Sequence, residues 1–539
     1  MKIKAYQFPL GIILVGVLFS LYLQWQIPEG VFFSGDAGLK ALLAQQFSSG
    51  QFRFDLAPSS QDWIGALWDN GLYPYEEPFV YNQDNHYYIT FPFTFPLVTA
   101  PFEALFGYRG LYLIPLFSTW AIWLIFYFAC QRLNLKPIET SIGLIILIFG
   151  SPLSIYSAMY WEHTLAVALS FAGVSLLLIP LDSKGFSKIQ AIFSGCLIGL
   201  SVWFRPEFLC LVGILAVVAG GLTLLSRTEI KNKFDLNKIS FPHQNQGIFV
   251  FSMFLTVGLF FLCNKVIYNH PLGIHAIQIV EKLSLITRLT DAWSNFKGLG
   301  WALLEYFPLT FFSVIYLLLS LVRRKQLKLD INQIILSFIC FFFLVGVSLI
   351  VPVGTAGLIP GGKQWGPRFL LILIPLISWL TIKQLQLMQH KTIKYIGIFV
   401  VTILCIISIN KNTYEATVYL QKTHKGVLPA IQVLQKDNNR VIAISHQFVA
   451  QVLQPALNQE KVFFRAEESD KLVKLGSELL NQGQEEFIYV CYPFRKCNPP
   501  KESPEKLQFS QENNNFAINL SKLGKFGKYP IYRASINKI

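Results

Sequence analysis

Eleven long apolar runs fill most of the first 410 residues, and they constrain the fold more than any other feature of the chain. A helix needs about 20 mostly apolar residues to cross ~30 Å of hydrocarbon. Because 53% of the 539 residues are hydrophobic and only 14% are charged, an ordinary soluble enzyme is excluded and a polytopic α-helical membrane protein is predicted. The predicted spans are 8–27, 110–131, 140–159, 163–181, 188–204, 207–226, 247–268, 302–322, 332–352, 368–383 and 395–410.

The loops between these runs differ in charge, and the difference predicts the side that each loop faces. With the N-terminus inside, the inner loops hold 17 basic and 5 acidic residues, whereas the first outer loop, 28–109, holds 3 basic and 9 acidic residues. Short cytoplasmic loops retain Lys and Arg. We therefore predict an integral protein of the cell (plasma) membrane with a cytoplasmic N-terminus and an uncleaved first span. The formal charge of +14 is then explained mostly by the Lys and Arg residues of the inner loops, and it does not indicate nucleic-acid binding.

The sequence divides into a transmembrane domain, 1–410, and a C-terminal segment, 411–539, that is soluble in composition and predicted to be extracytoplasmic. In that segment "RVIAISHQ", "KVFFRA" and "EEFIYVCYP" are typical of strands, and helical stretches separate them. Alternating strands and helices predict a small α/β domain with a partly parallel sheet. Cys491 and Cys497 are six residues apart across a turn, so a disulfide is predicted if the compartment is oxidising.

The stretch "SGDAGLK", directly after the first span, contains a single carboxylate, Asp36. Further along, "PFVYNQDNHYYITFP" predicts a hairpin that turns at Asp84 and Asn85. The stretch "FTFPLVTAPFEALFG" is short and broken by proline. We predict a re-entrant or interfacial segment there, because counting it as a span would invert every later loop.

Ionisable residues also interrupt or terminate several later runs. Such groups are costly at membrane depth and are functional candidates by default. Each also has a structural explanation: a solvated loop, a tight turn, a local ion pair or a snorkelling side chain. All are predicted to lie at outer ends of spans, on the side of Asp36. They are Glu162 and His163 in "YWEHTLA", Arg205 and Glu207 in "WFRPEF", and Lys363 and Arg368 in "PGGKQWGPRF".

Taken together, these features resemble the GT-C superfamily of membrane glycosyltransferases, in particular the protein-mannosyltransferase and aminoarabinose-transferase type. The resemblance covers residues 1 to about 410, and "SGDAGLK" carries most of it. Such enzymes typically place a catalytic aspartate just after the first span, which implies Asp36. Many have a second acid beside it, where this chain has Ala37. Glu162 or His163 would then supply the second acid or a contact to the acceptor or a metal.

The resemblance implies transfer of a sugar from a polyprenyl-phosphate donor to an acceptor hydroxyl at the outer face of the membrane. A carboxylate can take the acceptor proton, and single displacement inverts the anomeric centre. Lys363, Arg368 and Arg205 are the candidates for binding the donor phosphate. The acceptor can be a glycan, a lipid or a protein. No cofactor is required by the sequence, and a divalent metal stays open.

The alternative from another class is a membrane transporter or lipid flippase. Transporters usually carry ionisable groups near the membrane midplane and show internal repeats. The middles of these runs hold almost no charge, and no segment recurs at a fixed period. The sequence therefore favours a glycosyltransferase, with another membrane enzyme such as a polymer ligase as the remaining alternative.

Overall fold

The chain forms two compact units, each made from two separate segments. One unit comprises Met1–Trp25 and Tyr112–Val418, and the other comprises Gln26–Leu111 and Tyr419–Ile539. The computed structural model describes residues 7–179, 186–227, 245–274, 284–322, 331–351, 364–388, 390–457, 461–497, 507–511 and 514–539.

The first unit is α-helical, and each of the eleven predicted runs overlaps a helix. Five helices in the described part of the chain are long and apolar enough to cross a membrane, or six if one bent pair counts as a span. The number of spans therefore stays a prediction. The α-helices are Gln7–Trp25, Leu113–Arg132, Pro137–Ile148, Leu153–Tyr156, His163–Leu178, Lys188–Phe204, Leu209–Arg227, Gln246–Tyr268, Leu285–Tyr306, Leu309–Val322, Ile331–Ile350, Leu373–Leu387 and Lys391–Ile409.

Two helices depart from the predicted runs. The run 140–159 is interrupted after Ile148, where the sequence Gly150-Ser151-Pro152 separates two helices. The helix Leu285–Tyr306 was not predicted, and it makes an angle of 109° with the segment that begins at Leu309. Pro308 lies at this bend; it lacks an N–H, and it disfavours a helical conformation at the residue before it.

The second unit is built on a six-stranded mixed sheet. Its strands are β3 Val441–Ile444, β4 Val462–Arg465, β5 Glu486–Val490, β6 Gln508–Gln511, β7 Asn514–Phe526 and β8 Tyr529–Lys538. They are ordered β4-β3-β5-β8-β7-β6 across the sheet. β3 pairs in parallel with β4 and β5, and the remaining pairs are antiparallel, which confirms the predicted partly parallel sheet.

In the described part of the second unit, six α-helices and a hairpin lie in the first outer loop or in the C-terminal segment. The predicted hairpin is confirmed: β1 Val80–Gln83 pairs with β2 His86–Ile89, and Asp84 and Asn85 turn with φ of 52° and 62°. The other helices are Gly35–Ser48, Asp62–Leu67, Thr94–Phe106, Leu428–Lys436, Gln447–Leu453 and Ser469–Asn481, with Ala416–Lys425 beginning at the end of the first unit.

The first outer loop and the C-terminal sheet share one hydrophobic core. Ile64 and Leu72 of the loop are buried in the same cluster as Phe464 and Leu475 of the C-terminal segment. The ring of Trp63 stacks on that of Phe464 with centroids 5.8 Å apart. This core places loop residues in the unit that contains the C-terminal sheet, whereas the sequence analysis grouped the loop with the membrane domain.

The predicted bridge in the C-terminal segment is present. Cys491, at the end of β5, is bonded to Cys497 with a Cα–Cα distance of 5.7 Å. The other six cysteines are free and lie in or near predicted spans, where a thiol is a small apolar filler.

Candidate functional site

Asp36 lies in the first turn of the helix Gly35–Ser48 in the second unit. Ser34 caps this helix, because its side-chain oxygen accepts a hydrogen bond from the backbone N–H of Ala37 at 3.4 Å. A carboxylate in the first turn interacts favourably with the helix dipole. Asp36 is half-buried. The local sequence thus fixes a carboxylate at the beginning of a helix, eleven residues after the first apolar helix ends at Trp25.

The glycines on either side of Asp36 have a packing role that the sequence analysis missed. A Cβ at Gly38 would lie 1.8 Å from the backbone oxygen of Gln451, and a Cβ at Gly35 would lie 2.3 Å from the Oε1 of the same residue. The contact at Gly38 requires glycine, because backbone atoms cannot move aside, whereas the end of the Gln451 side chain could move away from a Cβ at Gly35. The helix that carries Asp36 is therefore packed directly on the C-terminal helix Gln447–Leu453.

Lys40 is a second residue that the sequence analysis missed. It follows Asp36 by four residues, which places both on the same face of the helix. Its side chain is only 2% exposed, and its Nζ lies 4.6 Å from the centroid of the Phe91 ring. The signal in the sequence was a lysine within the otherwise apolar "GLKALLA". A buried ammonium one turn from a carboxylate is a candidate for orienting it.

In the first unit, Arg205 joins two of the predicted site residues in a buried cluster. Its Nη1 donates to Glu162 Oε1 at 2.8 Å, and its Nε donates to Glu207 Oε1 at 2.7 Å. The three residues are 8%, 1% and 6% exposed, respectively. The alternative that Arg205 and Glu207 pair locally is thus confirmed, and Glu162 extends the pair to a triad. Buried charges of this kind are stable only when they are paired.

The backbone explains how this triad assembles. Glu162 directly precedes the helix His163–Leu178, and Arg205 directly follows the helix Lys188–Phe204 as its C-cap. Pro206 follows at once and opens a short 3-10 turn that contains Glu207. A proline cannot continue the preceding helix pattern and biases the residue before it towards extended geometry. Arg205 is extended, with φ −141° and ψ 100°.

Arg368 lies beside the same cluster. Two guanidinium groups contact the ring of Phe369: the Cζ of Arg205 is 5.0 Å from its centroid, and that of Arg368 is 4.9 Å away. The Cζ of Arg368 also lies 5.3 Å from the centroid of Trp161. Arginine stacks well on aromatic faces, and such contacts fix its planar group. The aromatic rings therefore hold Arg368 in a defined position.

His163 lies beside Trp161 in the first unit, with ring centroids 5.2 Å apart. The structure thus brings together Glu162, His163, Arg205 and Arg368. Asp36 belongs to the second unit, and Lys363 lies outside the described residues.

The sequence neither requires nor excludes a divalent metal. Within the described ranges, no group of three or more His, Cys, Asp or Glu residues could hold a metal ion. Glu162 and Glu207, the acids of the first-unit cluster, both accept hydrogen bonds from Arg205. In this arrangement the two carboxylates neutralise a guanidinium.

Comparison of the fold with solved structures identifies similar proteins. ArnT from Cupriavidus metallidurans bound to undecaprenyl phosphate matches with a TM-score of 0.56 at 10% identity, over 97% of this chain and 98% of that chain. The same enzyme in the apo state gives a TM-score of 0.54 at 10% identity with the same coverage. The archaeal oligosaccharyltransferase AglB from Archaeoglobus fulgidus, in complex with an inhibitory peptide and a dolichol-phosphate, gives 0.48 at 11% identity, over 91% and 70% of the two chains.

No protein-family profile and no curated protein sequence matches the chain. The likeness to ArnT shows the fold, and it extends over nearly the whole chain, including the C-terminal segment. The GT-C resemblance is therefore confirmed at the level of the fold. The apolar helices and this fold together identify an integral membrane protein.

Proposed function

We propose that this protein is a glycosyltransferase that moves a sugar from a polyprenyl-phosphate donor to an acceptor hydroxyl at the outer face of the membrane. The observation that carries the proposal is the ArnT fold over 97% of the chain, combined with a helix-borne aspartate soon after the first apolar helix. The matching ArnT structure holds undecaprenyl phosphate, which supports a lipid phosphate as the leaving group.

In this proposal Asp36 is the general base. The acceptor oxygen attacks the anomeric carbon, the bond from that carbon to the phosphate oxygen breaks, and the acceptor proton passes to the Asp36 carboxylate. A positioned base of this kind typically contributes about 10²–10⁴-fold to the rate. Attack from the face opposite the leaving phosphate inverts the anomeric centre. Lys40, one turn further on, would orient the Asp36 carboxylate.

Arg368 is the proposed contact for the leaving phosphate. A guanidinium can donate two parallel hydrogen bonds to phosphate oxygens, and stabilising the developing charge there lowers the barrier. Arg205 uses its Nε and Nη1 on two carboxylates, so its proposed role is to fix Phe369, and through it Arg368. Lys363 keeps its proposed supporting role at the phosphate. Glu162 and His163 remain proposed for a second acid or for acceptor contact.

The shared core of the second unit supports the predicted topology. Residues 26–111 and 419–539 form one compact body, and in this proposal that body occupies one side of a bilayer. The chain must then cross an even number of times between Tyr112 and Val418. The predicted eleven spans meet this condition, since ten of them follow the first loop. The outer side for this body follows from the distribution of Lys and Arg.

Replacing Arg368 is expected to weaken use of the donor. We expect Arg368→Ala to raise the KM for a polyprenyl-phosphate sugar at least about tenfold, because a hydrogen bond to a charged group contributes roughly 1.5–3 kcal/mol. Arg368→Lys should lose less, since the charge remains while the two-pronged geometry is lost. Initial rates at varied donor concentration measure both.

Arg132→Ala provides the matched control, because it removes an arginine from the end of another helix of the same unit. It should leave the donor KM unchanged. Wild-type donor kinetics for Arg368→Ala would show that this guanidinium only snorkels and would move the phosphate site elsewhere.

Thiol labelling of intact cells tests the side on which the second unit lies. In a variant with the six free cysteines replaced, we expect a membrane-impermeant maleimide to label Cys497 only after reduction, because the bridge to the buried Cys491 blocks its thiol in an oxidising compartment. Labelling without reduction would disprove the bridge. Labelling that needs permeabilised membranes would place the unit inside and refute the topology.

The proposed activity is tested with the purified protein and a panel of radiolabelled polyprenyl-phosphate sugars. Acceptor-dependent release of the lipid phosphate is expected with at least one donor. A transporter or flippase would instead move the intact donor across a vesicle membrane without cleaving it. Movement without cleavage by the reconstituted protein would therefore reject the glycosyltransferase.

A further inference from the structure

A pocket of about 210 Å³ lies within the second unit, at the C-terminal end of the helix that carries Asp36. Helix residues, the loop that follows them and the short turn after Gln447–Leu453 form its walls. Its lining includes Gln46, Ser49, Gln51, Trp68, Tyr75 and Gln454.

The described lining is polar but carries no charge. It combines four primary amides and a serine with the rings of Trp68, Tyr73 and Tyr75. Burial raises the pKa of Tyr73 and Tyr75 well above the ordinary tyrosine range, so both phenols stay neutral. Nothing in this lining compensates a phosphate or a carboxylate, and a buried unpaired charge is costly. The lining therefore favours a neutral, hydroxyl-rich ligand.

Gln46 holds one wall in place. Its Nε2 donates to the backbone oxygens of Arg53 at 2.8 Å and Asp55 at 2.9 Å, and its Oε1 accepts from the Ala57 N–H at 2.8 Å. Elsewhere in the lining, Tyr75 donates to Gln454 Oε1 at 2.5 Å. The pocket is thus formed by a hydrogen-bond network within the protein, which reduces the ordering cost of binding.

Other polar groups of the lining remain available to a ligand. In the described part of the chain, the side-chain amide of Gln51 makes no hydrogen bond, and the side chain of Gln454 uses only its oxygen. Gln51 and Ser49 are exposed, and Trp68 is partly exposed. A primary amide offers both donors and an acceptor, which suits sugar hydroxyls. An aromatic ring offers an apolar face to the C–H side of a pyranose, as aromatic rings do for other apolar surfaces.

We propose that this pocket is a subsite for one neutral sugar residue of a glycan acceptor, remote from the reacting end. The proposal rests on the proposed function, since it names the acceptor class of that reaction. Gln45 follows Asp36 by nine residues, which corresponds to ~14 Å along the helix and about half a turn around it. The pocket is thus separate from the reaction centre and would bind a distal residue of an oligosaccharide.

Saturation-transfer NMR on the full-length protein in detergent tests binding. The probes are neutral gluco-, manno- and galacto-trisaccharides, a uronic-acid trisaccharide and an uncharged tripeptide. We expect signal from at least one neutral trisaccharide only. Gln51→Ala should weaken it about five- to tenfold, as expected for one lost hydrogen bond, and Ser49→Leu should abolish it by filling the pocket.

Gln432→Ala is the matched control, because Gln432 is an exposed glutamine on the helix Leu428–Lys436 of the same unit. It should bind as the wild type does. Equal binding by Gln51→Ala and Gln432→Ala, preference for the acidic sugar or the peptide, or no signal from any neutral trisaccharide would overturn the subsite.

Two further measurements separate this inference from the proposed function. Asp36→Asn should retain trisaccharide binding, because Asp36 is not part of the lining. In the transfer assay, Gln51→Ala should raise the acceptor KM and leave kcat and the donor KM unchanged. If the enzyme is active and Gln51→Ala leaves its acceptor KM unchanged, the subsite is refuted and the proposed function stands. Trisaccharide binding without transfer by any donor refutes the proposed function and leaves a glycan-binding pocket.

Discussion

Replacing Asp36 with Asn is expected to reduce sugar transfer at least about a hundredfold while the protein remains folded and inserted. The amide keeps the shape of the carboxylate but cannot accept the acceptor proton, and general-base catalysis contributes about 10²–10⁴-fold. Because Asp36 is half-buried at a capped helix start, the isosteric change should cost little stability. Initial rates with a saturating donor measure the loss, and size-exclusion chromatography checks folding.

Asp62→Asn is the control for this experiment. Asp62 also lies in the first turn of a helix of the second unit, so it shares the helix-dipole environment but is not proposed to catalyse. It should retain the wild-type rate. An Asp36→Asn enzyme that keeps more than about a tenth of the wild-type rate would remove Asp36 as the base.

Gly38→Ala is expected to destabilise the second unit and to lower activity with it. The added Cβ would lie 1.8 Å from the backbone oxygen of Gln451, and backbone atoms cannot move aside as a flexible side chain can. Overpacking a close contact typically costs about 1–3 kcal/mol, and more when backbones must separate. Since the same helix carries Asp36, the shift should also displace the proposed base. Thermal unfolding and transfer rate measure the two effects.

Gly65→Ala serves as the matched control for this substitution. Gly65 lies in the helix Asp62–Leu67 of the same unit, and its added Cβ would meet no atom within 4 Å. Alanine is favoured over glycine within a helix by roughly 1 kcal/mol, so this variant should be as stable as the wild type or more so. Equal melting temperatures for the Gly38 and Gly65 variants would refute the close contact between the two helices.

The sequence was sufficient for features that depend on local patterns. Apolar length located a helix at every predicted run. Alternation and turn residues located the hairpin at Asp84 and Asn85 and the strands of the C-terminal sheet, because strand periodicity and positive-φ turn residues are short-range signals. The Cys491–Cys497 bridge was predictable for the same reason, since its closure needs only a short turn.

Other features depend on contacts between distant residues and could not be predicted in this way. The helix Leu285–Tyr306 contains Arg288, Asp291 and Lys297 among its apolar residues, so no continuous apolar run marks it. The core shared by Ile64 and Phe464 joins segments 400 residues apart.

The candidate site shows the same division. Asp36 was identifiable from its position after an apolar run, and Arg205 with Glu207 from their spacing. The pairing of Arg205 with Glu162 spans 43 residues, and the stacking of two arginines on Phe369 joins separate helices. Neither contact is marked in the local sequence, because the sequence around a charged residue at the end of a span does not differ between a paired and a solvated side chain.

The central claim is most directly tested by a single-turnover assay of the purified protein with a labelled polyprenyl-phosphate sugar. We predict that wild-type protein, given an acceptor, releases one lipid phosphate for each sugar transferred, with inversion at the anomeric carbon, and that Asp36→Asn releases neither above background. Transfer with retention, or equal release by wild type and Asp36→Asn, would contradict the account.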